Sequence, residues 1–436
     1  MTLPDTCEET VLHKVWWKIL PFVFVLFMIN MLDRVNIGYT ALGMNADLGI
    51  DPSTFGLISG IFFIGYFLFE IPSNQILSRV GARLWLARIM VSWGIIVVIM
   101  AFVQTSLQLG ILRFCLGVAE AGFFPGIILY LSFWCTKEGI AKSYAVFIAA
   151  MPVVLVIGSP VTTWIIQFAD WFGIAGWRWV FIIQGLLAVI AGIYTFILLP
   201  SVPAAARWLN SAEKEWLKKT LDTEEVRNET PLRILFRQLV RDRRVLVLTL
   251  CLFLVYLALF GIVFWLPQIV RSFEKTMPVF YIGILLMVPY AAATIVMFLW
   301  GRHSDRTRER VYHVVLPVVV AAVALGADAL VADSALSMIF LGIALIALFS
   351  AIPPFWAIVI ATILPGLRPA GTAFINSFAS LGSFAGPVIF GIFVQQSNQY
   401  DEVPGLAALG GALVLCCCLL LFSGKELKAR SIDIPP

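Results

Sequence analysis

Stretches of about 20 apolar residues recur along almost the whole chain, and this recurrence limits the possible folds more than any other feature. We count twelve of them. A helix rises about 1.5 Å per residue, so each stretch can cross the hydrocarbon core of a bilayer, which is about 30 Å thick. Backbone groups in lipid must be paired within the protein, and long unbroken stretches achieve this as helices rather than as barrel strands. The sequence therefore predicts an all-α membrane protein with twelve transmembrane helices.

The charged residues agree with this architecture and predict its orientation. Only 13% of the 436 residues are charged, against about 25% in an average soluble domain. Basic residues concentrate in alternate connections, and those connections are expected to face the cytoplasm. The clusters fall at residues 79–83, 137–142, 302–310 and 425–430, whereas the other connections hold little beyond Arg178, Arg271 and Lys275. Both termini are therefore predicted to be cytoplasmic, and membrane topology rather than nucleic-acid binding explains the net charge of +4.

A short motif occurs twice, 227 residues apart, and each copy follows the second helix of a block of six. Residues 74–83 read Asn-Gln-Ile-Leu-Ser-Arg-Val-Gly-Ala-Arg, and residues 301–310 read Gly-Arg-His-Ser-Asp-Arg-Thr-Arg-Glu-Arg. Such repetition indicates two pseudo-symmetric six-helix halves. We expect an N-terminal half over residues 1–200, a cytoplasmic linker over residues 201–244, and a C-terminal half with a short cytoplasmic tail over residues 245–436.

Four charged residues are predicted to lie deep in the membrane rather than near the ends of the spans: Asp33 and Arg34 in helix 1, and Arg113 and Glu120 in helix 4. A charge at the bilayer centre costs about 2.5–3.5 kcal/mol, so each should face a polar cavity or a partner of opposite sign. Arg113 and Glu120 are seven residues apart and share one helix face. Asp33 and Arg34 point about 100° apart and need different partners. The four charges sum to zero, and Glu70 is assigned to the basic turn that ends helix 2.

Helix 1 is predicted over residues 17–39, and helix 4 is predicted as one span over residues 107–131. The planar donors of an arginine match a carboxylate, so either Arg34 or Arg113 suits an acidic ligand. A proton and an arginine compete for the Glu120 carboxylate, which makes its occupancy a switch. The alternative interpretation of the four charges is a structural network that holds helices 1 and 4 together.

Several strings in the sequence resemble the major facilitator superfamily, and within it the anion:cation symporter branch of sugar-acid, tartrate and hydroxyphenylacetate permeases. The strings lie at residues 32–38, 60–74, 113–126, 373–376 and 382–387. The resemblance covers nearly the whole chain. It implies a transporter that works by alternating access and takes up a small organic carboxylate together with protons.

The same resemblance implies roles for individual residues. In relatives with this pattern, the acid of helix 1 and the glutamate of helix 4 are protonation sites, which correspond to Asp33 and Glu120 here. The matching arginines, Arg34 and Arg113, assist substrate binding and coupling. The pocket positions of the family correspond to Tyr66, Trp356 and Asn376. The gating positions lie at the two basic turns and correspond to Arg79, Arg83, Asp305 and Arg306. Of these, Asp305 and Arg306 are expected to form a cytoplasmic latch in the outward-open state.

Two departures from the sugar-acid pattern bear on the substrate. Sugar-acid carriers tend to place tyrosine and glutamine where this chain has Met31 and Met151. A pocket without these two hydrogen-bonding groups suits a less hydroxylated or aromatic acid better than a hexonate. The expected partners are thus a small organic anion and membrane lipid, with no nucleic acid, and the protein is expected to be a monomer in the inner membrane.

Other functions fit the residues less well. Helix 7 has no arginine within its span, unlike organophosphate antiporters, and helix 5 lacks the Gly-Pro-x-x-Gly-Gly ending of drug antiporters. No nucleotide loop or metal-ligand spacing is present in the sequence, so no enzyme activity and no cofactor other than the coupling proton are expected. Exchange or uniport of the same substrates without proton coupling stays open, and so, less favoured, does a transporter-like nutrient sensor.

Overall fold

The structure is a computed structural model that describes residues 5–224, 232–331, 334–364, 367–397 and 401–431. These residues form fifteen α-helices, two single 3₁₀ turns and no strand. The helices are α1 Asp5–Leu48, α2 Pro52–Val80, α3 Ala82–Met100, α4 Ser106–Glu120, α5 Phe123–Ser132, α6 Lys137–Phe168, α7 Gly176–Leu198, α8 Ser211–Glu224, α9 Leu232–Arg241, α10 Arg243–Phe273, α11 Val279–Thr307, α12 Val311–Asp328, α13 Ser334–Thr362, α14 Arg368–Gln396 and α15 Val403–Ser431.

Twelve segments within the described residues are long and apolar enough to cross a membrane, which confirms the predicted all-α fold. Helices α4 and α5 together form the fourth segment, Ser106–Ser132. The short helices α8 and α9 lie between the sixth and seventh, where the linker is predicted. Helix α8 contacts the start of the chain, because Lys14 Nζ donates to Glu213 Oε1 at 3.2 Å. Residues 225–231 of the predicted linker and residues 432–436 of the predicted tail lie outside the described residues.

The two halves repeat the same helix packing. Helix α3 packs along α7 in the first half, as α12 packs along α15 in the second. Likewise α2 packs on α4, and α11 packs on α13. We call the end of the bundle where α1 begins and α2 ends the terminal face, and the end where α1 ends and α2 begins the distal face.

Helix α1 is longer than predicted at both ends. It contains 44 residues, whereas the prediction covers residues 17–39. Its apolar side continues beyond the lipid-spanning part, and Val11, Val15 and Met44 are fully buried against neighbouring helices. The helix ends only near Gly49, whose φ of +61° is left-handed. Packing and the turn glycine, rather than bilayer thickness, therefore determine its length.

The fourth span is broken, which corrects the prediction of one helix over residues 107–131. Helix α4 ends at Glu120, Gly122 adopts a left-handed φ of 86°, and α5 begins at Phe123. A methyl group added to Gly122 would lie 2.4 Å from Ser73 Oγ, so α5 starts in close contact with α2. Glycine tolerates this backbone conformation at little cost. The break places the Glu120 carboxylate at a helix end inside the membrane span.

The two halves pack tightly against each other near the distal face. Asn45 Nδ2 of α1 donates to Gln268 Oε1 of α10 at 2.9 Å. Helix α2 approaches α14 so closely that a methyl group at Gly56 would lie 2.4 Å from the carbonyl oxygen of Pro387. Trp265 Nε1 of α10 donates to that same carbonyl at 3.2 Å. These contacts close the bundle at its distal face.

Candidate functional site

The centre of the first half contains a buried ion pair between α1 and α4. Arg34 Nη2 lies 3.2 Å from Glu120 Oε2, and Asn30 Nδ2 donates to that same oxygen at 2.8 Å. The Glu120 side chain is fully buried, whereas 13% of the Arg34 side chain is exposed. The other carboxylate oxygen, Oε1, has no hydrogen-bond partner among the described residues. The Arg34 side chain is therefore partly exposed, while the Glu120 carboxylate behind it is sealed.

Asp33 points away from this ion pair, as the helix geometry predicts. Trp93 Nε1 of α3 donates to Asp33 Oδ2 at 2.8 Å, and both side chains are fully buried. The Trp93 ring also meets Phe123, the first residue of α5, edge to face at 5.0 Å between centroids. Asp33 thus ties α1 to α3 beside the helix break. Nothing in the sequence distinguishes Trp93 from other tryptophans in apolar helices, so its role was not predicted.

Arg113 is fully buried and only partly satisfied. Its Nη2 donates to the carbonyl oxygen of Ser59 at 3.4 Å, while Nε and Nη1 have no hydrogen-bond partner among the described residues. Its nearest charged neighbours are Glu120, Arg34 and Asp33. The predicted face shared by Arg113 and Glu120 is therefore present, but Arg34 holds Glu120 directly.

Two aromatic rings of α2 support the arginines. The Arg34 guanidinium lies 5.1 Å from the Phe62 ring centroid and 4.9 Å from that of Tyr66. The Arg113 guanidinium lies 5.2 Å from the same Phe62 ring. Attraction between a cation and an aromatic face strengthens when water is excluded. Tyr66, predicted as a pocket residue from the family resemblance, lies beside the exposed arginine.

Glu70 belongs to the buried charges, which corrects its assignment to the basic turn. It lies one helical turn beyond Tyr66 in α2 and is only 4% exposed. The Ser377 hydroxyl of α14 donates to Glu70 Oε2 across the two halves. The assignment was wrong because the basic residues that mark the turn, Arg79 and Arg83, come well after Glu70, and α2 continues as a helix to Val80. The cluster therefore contains three carboxyls and two guanidiniums, and its charges do not cancel when all are ionised.

The second half contributes an aromatic, uncharged wall. Trp356 of α13 is 5% exposed, and the Tyr256 hydroxyl of α10 lies beside its indole and within electrostatic range of Arg34. Tyr256 was not predicted, because an isolated tyrosine in an apolar helix carries no sequence signal. Phe260 of α10 meets Phe63 of α2 at 5.2 Å and closes this wall against the first half. Asn376, adjacent to Ser377 in α14, is half-buried.

The four predicted gating residues lie near the terminal face, and the described contacts of Arg83 and Asp305 stay within their own halves. The Arg83 guanidinium donates to the carbonyl oxygen of Phe196 at 2.8 Å and lies over the Phe196 ring. Asp305 Oδ1 accepts from Arg310 Nη1 at 2.6 Å. The remaining two, Arg79 and Arg306, are exposed.

The described residues contain no group of three or more His, Cys, Asp or Glu side chains that could hold a metal ion. The ionisable groups at the centre of the fold are three carboxyls and two guanidiniums. The partly exposed Arg34 side chain lies between the sealed Glu120 carboxylate on one side and the aromatic wall on the other.

Comparisons with known proteins identify the family of the chain. The sequence matches the family model described as Major Facilitator Superfamily over residues 23–327 and 276–432. A putative tartrate transporter of Agrobacterium vitis is 41% identical over 98% of this chain and 95% of its own length. The putative metabolite transport protein NicT of Pseudomonas putida is 34% identical over 98% of this chain and 97% of its own.

Two solved structures share the fold. A D-xylose–proton symporter matches with a TM-score of 0.75 at 13% sequence identity, over 93% of this chain and 97% of its own. A bacterial homologue of the human lysosomal transporter Spinster, in an inward-facing conformation, matches with a TM-score of 0.74 at 16% identity, over 97% of both chains.

Proposed function

This chain belongs to the major facilitator superfamily, and from that premise we propose that it is a secondary active transporter that couples uptake of a small organic carboxylate to protons. The relatives named as tartrate and metabolite transporters support an organic acid as substrate. The observation that carries the proposal is the pairing of a partly exposed Arg34 with a sealed Glu120.

Coupling follows from competition for one guanidinium. A substrate carboxylate that reaches Arg34 matches its planar donors and displaces Glu120. Glu120 is then left buried with Asn30 as its remaining donor among the described residues. An uncompensated buried charge costs about 3–5 kcal/mol, and protonation removes this cost. Substrate binding therefore favours proton binding at Glu120, and proton binding in turn frees Arg34 for the substrate.

Asp33 is the second proposed proton site. Its bond to Trp93 connects α1 to α3 next to the break between α4 and α5. A change in its charge alters that connection rather than the substrate contact at Arg34. Moving a monovalent anion into a negative cell costs about 2.3 kcal/mol per 100 mV; one proton cancels this cost, and a second makes the potential a driving force. With proton sites at Asp33 and Glu120, two protons can accompany each anion, and the membrane potential then drives uptake.

The second half of the site is proposed to select the substrate body. The wall formed by Tyr256, Phe260 and Trp356 is aromatic, while the charged groups come from the first half. A carboxylate at Arg34 would place the rest of the molecule against this wall. Together with Met31 and Met151, which replace hydrogen-bonding residues, this favours a weakly hydroxylated or aromatic acid over a hexonate.

We place the protein in a bacterial inner membrane as a monomer, with the terminal face in the cytoplasm. This orientation follows from the basic clusters of the terminal face. The distal face then lies on the outer, periplasmic side of the membrane, and its closure corresponds to an inward-facing state. The proposed gating residues Arg79, Arg83, Asp305 and Arg306 would meet across the halves only when the terminal face closes.

Proteoliposomes test the proposal. Purified protein is reconstituted with an internal pH dye, and tartrate, hexonates, hydroxyphenylacetate or phthalate is added outside. We expect internal acidification with one of these acids, its loss in Glu120→Gln, and wild-type behaviour in Glu215→Gln, which changes an exposed glutamate of α8. Glu120→Gln should still exchange labelled substrate. Labelled substrate that enters the wild-type vesicles without acidification would instead identify an exchanger or uniporter.

A further inference from the structure

Glu70 connects the charged cluster of the first half directly to the second half. It accepts a hydrogen bond from Ser377, and both side chains are buried, with 4% and 8% exposure. Helices α2 and α14 touch along a row of contacts that starts at the distal face, and the pair Glu70–Ser377 lies nearest the terminal face within this row. In order from the distal face, the other contacts of the row are Pro52–Gly391, Gly56–Pro387, Gly60–Phe384 and Phe67–Phe378.

The surroundings of Glu70 connect it to the same guanidinium as Glu120. On α1 the charged group that faces it is Arg34, and on α2 the titratable neighbour is Tyr66. Helix α4, which packs on α2, contributes Arg113 and Glu120 to the same cluster. The described part of α14 beyond its first residue contains no charged residue, so Ser377 meets Glu70 through a neutral hydroxyl.

We propose that Glu70 is a further proton-binding carboxyl of the transport cycle, and that its bond to Ser377 stabilises the conformation closed at the distal face. This inference rests on the proposed transport function. A charged carboxylate accepts a stronger hydrogen bond from a hydroxyl than a neutral carboxyl group does. Proton binding at Glu70 therefore weakens the contact between α2 and α14 and shifts the equilibrium toward the state open at the distal face.

The geometry indicates why this bond is specific to one conformation. A methyl group at Gly56 or Gly60 would lie within 2.6 Å of a carbonyl oxygen of α14, so the two helices touch most closely toward the distal face. Opening that face must separate these segments and change the angle between α2 and α14. A hydrogen bond weakens steeply as its angle falls. The Glu70–Ser377 bond is therefore expected to weaken when the distal face opens.

The net charge of the buried cluster indicates how many protons it holds. With Glu70 included, the buried cluster has three carboxyls and two guanidiniums. An unbalanced charge within a membrane span is costly, so the empty cluster is expected to retain one proton. A monoanionic substrate adds one negative charge, so the cluster must bind one further proton to stay neutral. Glu70 and Glu120 are both near Arg34, so occupation of Arg34 by substrate favours protonation at either position.

Hydrogen–deuterium exchange tests this inference in nanodiscs without substrate or gradient. The readout is exchange in peptides from the distal ends of α1 and α10, which the Asn45–Gln268 contact joins. At alkaline pH, Glu70→Gln should populate the open distal face about tenfold more than wild type, because a neutral acceptor replaces a charged one. At acidic pH the two proteins should converge, because wild-type Glu70 then carries a proton.

Further variants separate this role from simple packing. Ser377→Ala removes the donor and should open the distal face at every pH, and Ser377→Thr, which keeps a hydroxyl, should restore wild-type exchange. Glu215→Gln on α8 should have no effect. Equal exchange in Glu70→Gln and wild type at all pH values would overturn the inference. A difference in exchange between Glu70→Gln and wild type that stays the same at every pH would also overturn it.

The same proteins distinguish failure of this inference from failure of the proposed function. If wild-type vesicles take up substrate without acidification, proton coupling is wrong, whatever the exchange data show. If wild-type vesicles acidify but Glu70→Gln behaves as wild type in exchange and in the pH profile of uptake, proton coupling holds and Glu70 has no part in it.

Discussion

Replacing Trp93 with phenylalanine isolates what one hydrogen bond contributes to Asp33. The indole donates to Asp33 Oδ2 at 2.8 Å, and the other carboxylate oxygen has no hydrogen-bond partner among the described residues. Trp93→Phe therefore removes the described donor to a buried carboxylate. It keeps an aromatic ring in contact distance of Phe123.

Trp134 provides a matched control. It is also fully buried, and its ring stacks on Trp208 at 5.7 Å between centroids. Its indole N–H has no acceptor among the described residues. Trp134→Phe thus removes a similar volume without removing a bond to a carboxylate, and the difference between the two variants reports the hydrogen bond.

The magnitude follows from known hydrogen-bond energies. Bonds to charged groups contribute about 1.5–3 kcal/mol in soluble proteins, whereas bonds between membrane helices average about 0.6 kcal/mol and reach about 1.7. We expect Trp93→Phe to lower the free energy of unfolding by about 1–2 kcal/mol more than Trp134→Phe does at neutral pH. Reversible unfolding of the protein in mixed micelles measures the loss.

Transport gives a second readout for the same pair. Because the proposed substrate contact is Arg34, Trp93→Phe should leave the KM for substrate near the wild-type value while changing the pH dependence of uptake. Trp134→Phe should change neither. Equal losses of stability in the two variants, together with unchanged pH profiles, would refute the assignment of Asp33 as a proton site that Trp93 holds.

Three further substitutions give distinct results. Arg34→Lys keeps the charge but loses the planar fork, so the KM for substrate uptake should rise about tenfold with little change in stability. Gly122→Ala places a methyl group against Ser73 in a left-handed backbone conformation, so it should lower the free energy of unfolding by about 1–3 kcal/mol. Gly411→Ala is the control: its added methyl group meets nothing within 4 Å, so the protein should keep its stability. Asp51 caps α2, and hydrogen bonds from Thr54 and its neighbour lower its pKa to about 2; Asp51→Ala should cost about 1 kcal/mol at pH 7, and this difference should fade as pH drops from 4 toward 2.

The sequence predicts the architecture well because hydrophobic length and charge placement are properties of the chain itself. The twelve spans follow from apolar stretches alone. The divergence of Asp33 and Arg34 follows from the 100° rotation between neighbouring helical residues, and the structure gives them the separate partners Trp93 and Glu120. Local rules are sufficient at these positions.

The remaining features depend on contacts between distant segments. The break after Glu120 requires Gly122 to meet Ser73 of another helix, which no local pattern reveals. Glu70 was assigned to a turn because it opens the string that ends in the basic residues Arg79 and Arg83, but α2 continues as a helix to Val80 and the carboxyl is buried against Ser377. Only the packing of the two halves identifies this residue.

The charged residues of the central cluster all belong to the first half of the protein. The acids and arginines of the central cluster lie on α1, α2 and α4, while the opposite wall offers aromatic rings and neutral polar groups. A substrate that bridges the halves therefore meets its counter-charge on one side. Its binding is expected to change the electrostatics of the first half and the packing of the second.

Proton uptake on substrate binding is the most direct test of the central claim that a substrate carboxylate displaces Glu120 from Arg34. The purified carrier in detergent is titrated with the transported acid in buffers of different ionisation enthalpy, which gives the number of protons bound per substrate. We expect the wild type to take up about one proton per substrate bound, and Glu120→Gln to take up clearly fewer protons while still binding substrate. Wild-type binding without proton uptake, or the same uptake in Glu120→Gln, would contradict it.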